Sequence, residues 1–244
     1  MSDILLIHGA WHGGWCWQAT AEALRSAGHR VACPDLPDDP GTTLADCVTA
    51  LPAAAIILGH SMSGILAEAL AQQRPPRLLI HLCSYLPLPG DSLARLDRLH
   101  PGPARAWPRD DEGRLVMSAD AACDMLYQDV PEKIVARALP RLRPQPLGPM
   151  RDPLPGPARA DVTRHYLLCE HDRAIAPALQ RAMLDRAPVD QAHATDWGHS
   201  PFLSDPQGLA RLIDRIAAPQ GPACGWTSAA RHSASSPARR SRSS

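Results

Sequence analysis

The feature that most constrains the fold is an alternation along the chain. Short, nearly all-apolar runs bounded by turn residues are followed by longer segments of helical period, which predicts a parallel sheet covered by helices on both faces. The predicted strands are Asp3 to His8, Arg30 to Cys33, Ala54 to Gly59, Arg77 to Ser84, Thr163 to Cys169 and Asp190 to Ala194. The predicted helices are Trp15 to Ala27, Thr42 to Leu51, Met62 to Gln73, Ala178 to Arg186 and Pro206 to Ala217. The rhythm breaks between Leu86 and Asp161, where thirteen prolines (Pro87 to Pro157) forbid long uninterrupted helices. Within that break, Asp120 to Leu142 keeps helical spacing and is divided by Pro131. The expected organisation is an α/β core formed by residues 1–85 and 162–218, a helical cap inserted at 86–161, and a tail over 219–244. That tail holds Arg231, Arg239, Arg240 and Arg242 among serines and alanines and no acidic residue. It is too poor in apolar groups to offset its chain entropy, so disorder is expected there.

Composition removes several function classes. Basic and acidic residues balance, 25 against 25, so no nucleic-acid partner is expected. The apolar run at the amino terminus ends at His8, too short for a secretion signal, and no apolar stretch reaches the length of a membrane span. Seven scattered cysteines (Cys16, Cys33, Cys47, Cys83, Cys123, Cys169, Cys224) show no zinc-like spacing. A soluble cytoplasmic protein, without metal or cofactor, is the expectation.

The segment that carries chemistry is Gly59-His60-Ser61-Met62-Ser63-Gly64, directly after one predicted strand and directly before a helix. A serine in such a tight strand-to-helix turn projects its hydroxyl away from the backbone, above the positive helix terminus. The small residues on either side permit close backbone approach; Ser63 stands where a second glycine is usual, with Gly64 one step later. A serine needs a base and an orienting carboxylate to become nucleophilic. Asp172 follows the next-to-last predicted strand and His199 follows the last, so Ser61, Asp172 and His199 all fall at carboxyl ends of parallel strands, where open α/β sheets bind ligands. Glu170 and Asp196 compete with Asp172 as the acid. The loop His8-Gly9-Ala10-Trp11-His12-Gly13-Gly14-Trp15 follows the first strand, and the backbone amides of Ala10 and Met62 are the candidate oxyanion donors. His8 and His12 have the HxxxH spacing of a zinc-binding helix, but Gly9, Gly13 and Gly14 make this a loop.

In the order and wording of these motifs the chain resembles the α/β-hydrolase superfamily, within the branch of plant methylesterases, hydroxynitrile lyases and small bacterial esterases. Leu168 to Ile175, Gly198-His199, Asp205-Pro206 and the cap segments Leu126-Tyr127-Gln128, Pro131-Glu132 and Leu142-Arg143-Pro144 add to the likeness, which runs from about Asp3 to Ala217. The resemblance implies a serine hydrolase cleaving a small carboxylic ester, such as a methyl ester, through an acyl-enzyme. The lyases carry a threonine and a lysine where this chain has Gly9 and Ser200, which disfavours cyanide chemistry. A hydroxynitrile lyase or a lactone or thioester hydrolase on the same triad, and a non-catalytic small-molecule binding protein on a hydrolase scaffold, are the alternatives. Trp11, Leu86, Trp107, Tyr127 and Trp197 are the expected pocket walls, and the cap could supply a homodimer contact.

Overall fold

The computed structural model describes residues 1–101, 107–157, 159–187 and 189–218. The expected tail, with Cys224, lies outside them, as does Pro103 of the proline-rich break. Six strands form one sheet: β1 (Asp3–Ile7), β2 (Arg30–Ala32), β3 (Ile56–His60), β4 (Leu78–Leu82), β5 (Thr163–Cys169) and β6 (Gln191–Thr195). The order is β2-β1-β3-β4-β5-β6 and every pairing is parallel. The helices, in chain order, are α1 (Gln18–Ser26), α2 (Leu44–Ala50), α3 (Gly64–Gln73), α4 (Leu93–Leu96), α5 (Ala119–Met125), α6 (Glu132–Ala138), α7 (Gly148–Arg151), α8 (Pro177–Arg186), α9 (Pro201–Ser204) and α10 (Pro206–Ala217).

The period-2 alternation of strand side chains divides the core into layers. Leu5, Ile7, Ile57 and Leu79 face α2 and α3, whereas Ile4, Leu6, Ile56, Leu58 and Ile80 face α1 and α10. Tyr166 and Leu168 of β5 pack on α8. The four central strands are buried on both faces. The edge strands depart from the all-apolar expectation: β2 has three residues and β6 shows mostly exposed side chains, and among the described residues no strand pairs beyond them. Helix ends follow cap chemistry. Thr43 and Asp46 form a reciprocal capping box, so α2 starts at Leu44. Asp205 accepts the Gly208 amide and Pro206 opens α10 at the expected residue. The first expected helix begins with a 3-10 turn, Gly14–Trp17, ahead of α1.

The segment between β4 and β5 contains α4 to α7, with Ser118 capping α5 and Pro131 preceding α6. Its side chains Leu115, Met117, Met125, Leu126, Tyr127 and Val130 join the same hydrophobic cluster as α2 and α3. This insertion is therefore packed onto the carboxyl end of the sheet by apolar burial.

One charged group lies deep in the core. Glu68 of α3 accepts a two-pronged pair from Arg164 of β5 (2.8 and 3.0 Å) and a third bond from His81 of β4 (3.2 Å). Burial alone pushes the Glu68 carboxyl up, but these donors and their charge outweigh it and bring it to about 2. Removing one partner of such a pair leaves the other buried and uncompensated. Glu68→Gln is expected to lower the unfolding free energy by about 3–5 kcal/mol, read as a lower urea midpoint at unchanged slope. An unchanged midpoint would contradict a structural role for this pair.

Candidate active site

Ser61 sits at the β3-to-α3 turn with φ 55°, a left-handed conformation that a side-chain-bearing residue adopts only when its surroundings enforce it. The enforcement is visible next to it. A Cβ on Gly64 would lie 1.9 Å from the Tyr85 carbonyl oxygen, so the turn tolerates no side chain there. A Cβ on Gly9 would come within 2.9 Å of Ser61 Cβ, which places the loop after β1 directly against the serine. Ser63, in the position where glycine is usual, uses its hydroxyl: it donates to the carbonyl of His8 and ties the turn to that loop.

The side chains expected to meet do meet. His199 Nε2 lies 3.1 Å from Ser61 Oγ, and its Nδ1 lies 2.8 Å from Asp172 Oδ2. Since an ionised carboxylate only accepts, Nδ1 carries the proton and Nε2 is left to accept from the serine hydroxyl. Asp172 is buried and is held by donors on both oxygens: the amides of Ala174 (2.7 Å) and Ile175 (2.9 Å) on Oδ1, and Gln180 Nε2 (3.2 Å) on Oδ2. Of the competing acids, Glu170 pairs with Arg181 and Asp196 is exposed; neither is the carboxylate bonded to His199.

A cavity of about 430 Å³ opens over Ser61 and His199. Ala10, Met62, Trp11, Trp107, Met125 and Leu126 are among its walls, and the Trp11 and Trp107 rings meet at 5.1 Å. Three expected wall residues lie elsewhere. Leu86 is buried in the apolar layer beside α8. Tyr127 is turned into the core and donates its hydroxyl to His12 Nε2 (2.9 Å). Trp197 packs against the α10 layer with its indole N–H on Asp205 (3.2 Å). Their aromatic or apolar character identified burial but not direction.

The remaining histidines of the site are structural. His8 donates from Nδ1 to Gly9 O (2.8 Å) and accepts the Leu36 amide at Nε2 (3.1 Å); His12 donates from Nδ1 to Ala10 O (3.0 Å). All four ring nitrogens of the HxxxH pair are thus engaged, the two Nδ1 atoms by carbonyls of their own loop and the two Nε2 atoms by the Leu36 amide and the Tyr127 hydroxyl. Burial holds His8 down to about 4 and His12 to about 3, so both are neutral imidazoles. His60 donates from Nε2 to the His199 carbonyl (2.9 Å) and is likewise kept neutral by burial. Behind His199 lies Cys83 Sγ, 3.9 Å from Nδ1, its thiol pushed up by burial and hence uncharged. Gln180, Cys83 and Gln145, which accepts the Trp11 amide (3.3 Å), had no signal in the sequence, being ordinary residues of a helix, a strand end and a loop.

Comparison with known proteins identifies the family. The model of the alpha/beta hydrolase family matches residues 4–212. A pyrethroid hydrolase of Sphingobium wenxiniae is 30% identical over 89% of this chain and 88% of its own. Methylesterase 18 of Arabidopsis thaliana is 28% identical over 89% of this chain and 98% of its own. Among solved structures, a pyrethroid hydrolase from Sphingobium faniae superposes with TM-score 0.71 at 26% identity, covering 88% of this chain and 96% of that one. A family match over most of the chain, on a parallel sheet whose strand ends carry the serine turn, leads to one assignment: this protein belongs to the alpha/beta hydrolase family.

Proposed function

We propose that the protein is a serine hydrolase of small carboxylic esters, with Ser61 as nucleophile, His199 as general base and acid, and Asp172 as the group that orients His199. The observation that carries this reading is the unbroken line Ser61 Oγ, His199, Asp172, at 3.1 and 2.8 Å, beneath a largely apolar cavity. Ser61 Oγ attacks the ester carbonyl while its proton passes to His199 Nε2. The tetrahedral oxyanion is held by the amides of Ala10 and Met62. As the carbon–oxygen bond breaks, His199 returns the proton to the departing alcohol, leaving an acyl group on Ser61. Water then adds to that acyl group by the same route and releases the acid.

The relatives named pyrethroid hydrolase and methylesterase support an ester substrate, a methyl ester among the candidates. The apolar walls Trp11, Trp107, Met125 and Leu126 suit an apolar acyl part. The same reading makes this a cytoplasmic enzyme, in keeping with the six unpaired cysteines among the described residues. No helix among those residues is long and apolar enough to cross a membrane. The test is a panel of methyl and nitrophenyl esters, lactones, thioesters and cyanohydrins. Esters are expected to turn over at least 100-fold faster than cyanohydrins, because binding differences of a few kcal/mol at the reacting group separate these classes. Preferential cyanohydrin cleavage, or ligand binding without turnover, would replace the reading.

A further inference from the structure

The loop from His8 to His12 has its backbone fixed atom by atom. The His8 carbonyl accepts from Ser63 Oγ, the Gly9 carbonyl from His8 Nδ1, the Ala10 carbonyl from His12 Nδ1 and the Trp11 carbonyl from the Arg143 amide (2.8 Å). The Trp11 amide is taken by Gln145 Oε1. Trp11 itself is held at φ 62°, and its indole N–H is bonded to the Leu115 carbonyl (3.1 Å). Because a trans peptide is planar with its C=O and N–H pointing opposite ways, anchoring the Gly9 carbonyl turns the Ala10 N–H to the other side. Ala10 is a lining residue of the cavity, together with Ser61 and His199.

Half of these anchors come from the insertion, not from the sheet. Tyr127 donates to His12 Nε2, which obliges the ring to carry its proton on Nδ1, where it meets the Ala10 carbonyl. Gln145, buried and itself tied to Pro146 O through Nε2 (2.9 Å), grips the next peptide N–H. Both polar atoms of the Ala10–Trp11 peptide, the one that follows the Ala10 N–H, are therefore governed by residues of the insertion; with His8 holding the Gly9 carbonyl of the preceding peptide, Ala10 is pinned on both sides and its N–H is left little rotation. We propose that Tyr127 and Gln145 are positioning residues that hold the Ala10 amide in its oxyanion-binding direction, so that the insertion completes the oxyanion site as well as covering the cavity. This rests on the ester-hydrolase reading above and on Ala10 N as one of its two donors.

Neither residue lines the cavity, so substrate binding and transition-state binding separate in the test. Tyr127→Phe keeps the ring and removes one hydroxyl; Gln145→Met keeps the length and removes the acceptor. Complete loss of an oxyanion donor lowers turnover on the order of 100- to 1000-fold, and a loosened donor a part of that. Each variant is expected to lower kcat about tenfold with KM within about twofold, and to weaken binding of a trifluoromethyl ketone analogue, which forms the oxyanion, by the same factor as kcat/KM. Wild-type kcat and analogue affinity in both variants would overturn the proposal, as would a raised KM at unchanged kcat or a loss confined to thermal stability. Ser61→Ala, run alongside, keeps the two failures apart. If Ser61-dependent turnover persists while both variants behave as wild type, only the positioning role falls. If turnover does not depend on Ser61, the hydrolase reading falls with it.

Discussion

Ser61→Ala is expected to reduce ester turnover by roughly 10⁵- to 10⁶-fold, the scale seen when the nucleophile of a serine triad is removed. The reason is local. His199 is set to take one proton, from Ser61 Oγ at 3.1 Å, and without that hydroxyl no covalent intermediate can form. What remains is the proposed oxyanion site and the cavity, which leave an acceleration over water of roughly 10³- to 10⁴-fold. Folding should be little affected, since the strained turn is enforced by Gly64 against the Tyr85 carbonyl and by Ser63 on the His8 carbonyl, not by the Ser61 hydroxyl. Steady-state rates with nitrophenyl esters read the effect directly. A variant retaining more than a hundredth of the wild-type rate would point to another nucleophile.

Acid is expected to destabilise the fold well above the pH at which most carboxylates protonate. His8 and His12 are buried as neutral rings, at about 4 and about 3 in the folded chain, against about 6.5 when unfolded. Below pH 6.5 the unfolded chain therefore binds protons that the folded chain refuses, and stability falls as pH falls. At pH 5 each ring contributes a loss of about 2 kcal/mol, about 4 kcal/mol together. For a domain of this size that corresponds to a drop of roughly 10 °C in Tm between pH 7.5 and pH 5. His60, held down by burial in the same region, acts in the same direction. Glu68, depressed to about 2, adds its own loss only as pH falls from about 4.5 toward 2. A Tm that stays level from pH 7.5 to 5 would mean that these histidines are charged or exposed, and that the oxyanion loop is not anchored as described.

The sequence made the sheet and the three proposed catalytic side chains legible for different reasons. Strands such as Thr163–Cys169 and the helix opened by Asp205 and Pro206 are written in local patterns of apolar residues and caps, so their bounds could be read directly. Ser61, Asp172 and His199 could be read because each follows a strand, and parallel strands bring their carboxyl ends to one side. The directions of individual side chains could not. Tyr127 and Trp197 looked like pocket walls, yet each hydroxyl or indole N–H found a partner away from the cavity, at His12 and Asp205. Gln180 and Gln145 carry no local signature; their role exists only once distant segments pack. The HxxxH pair shows the converse. A spacing that suggests a metal on a helix becomes, in a glycine-rich loop, a pair of carbonyl anchors.

The most direct test is to inactivate the wild-type protein with a fluorophosphonate and locate the adduct by peptide mass mapping. One adduct per chain on Ser61, formed at the rate at which ester turnover disappears and absent in His199→Ala, is the expected result. Loss of turnover with the label on a different residue, or continued hydrolysis after Ser61 is fully labelled, would contradict it.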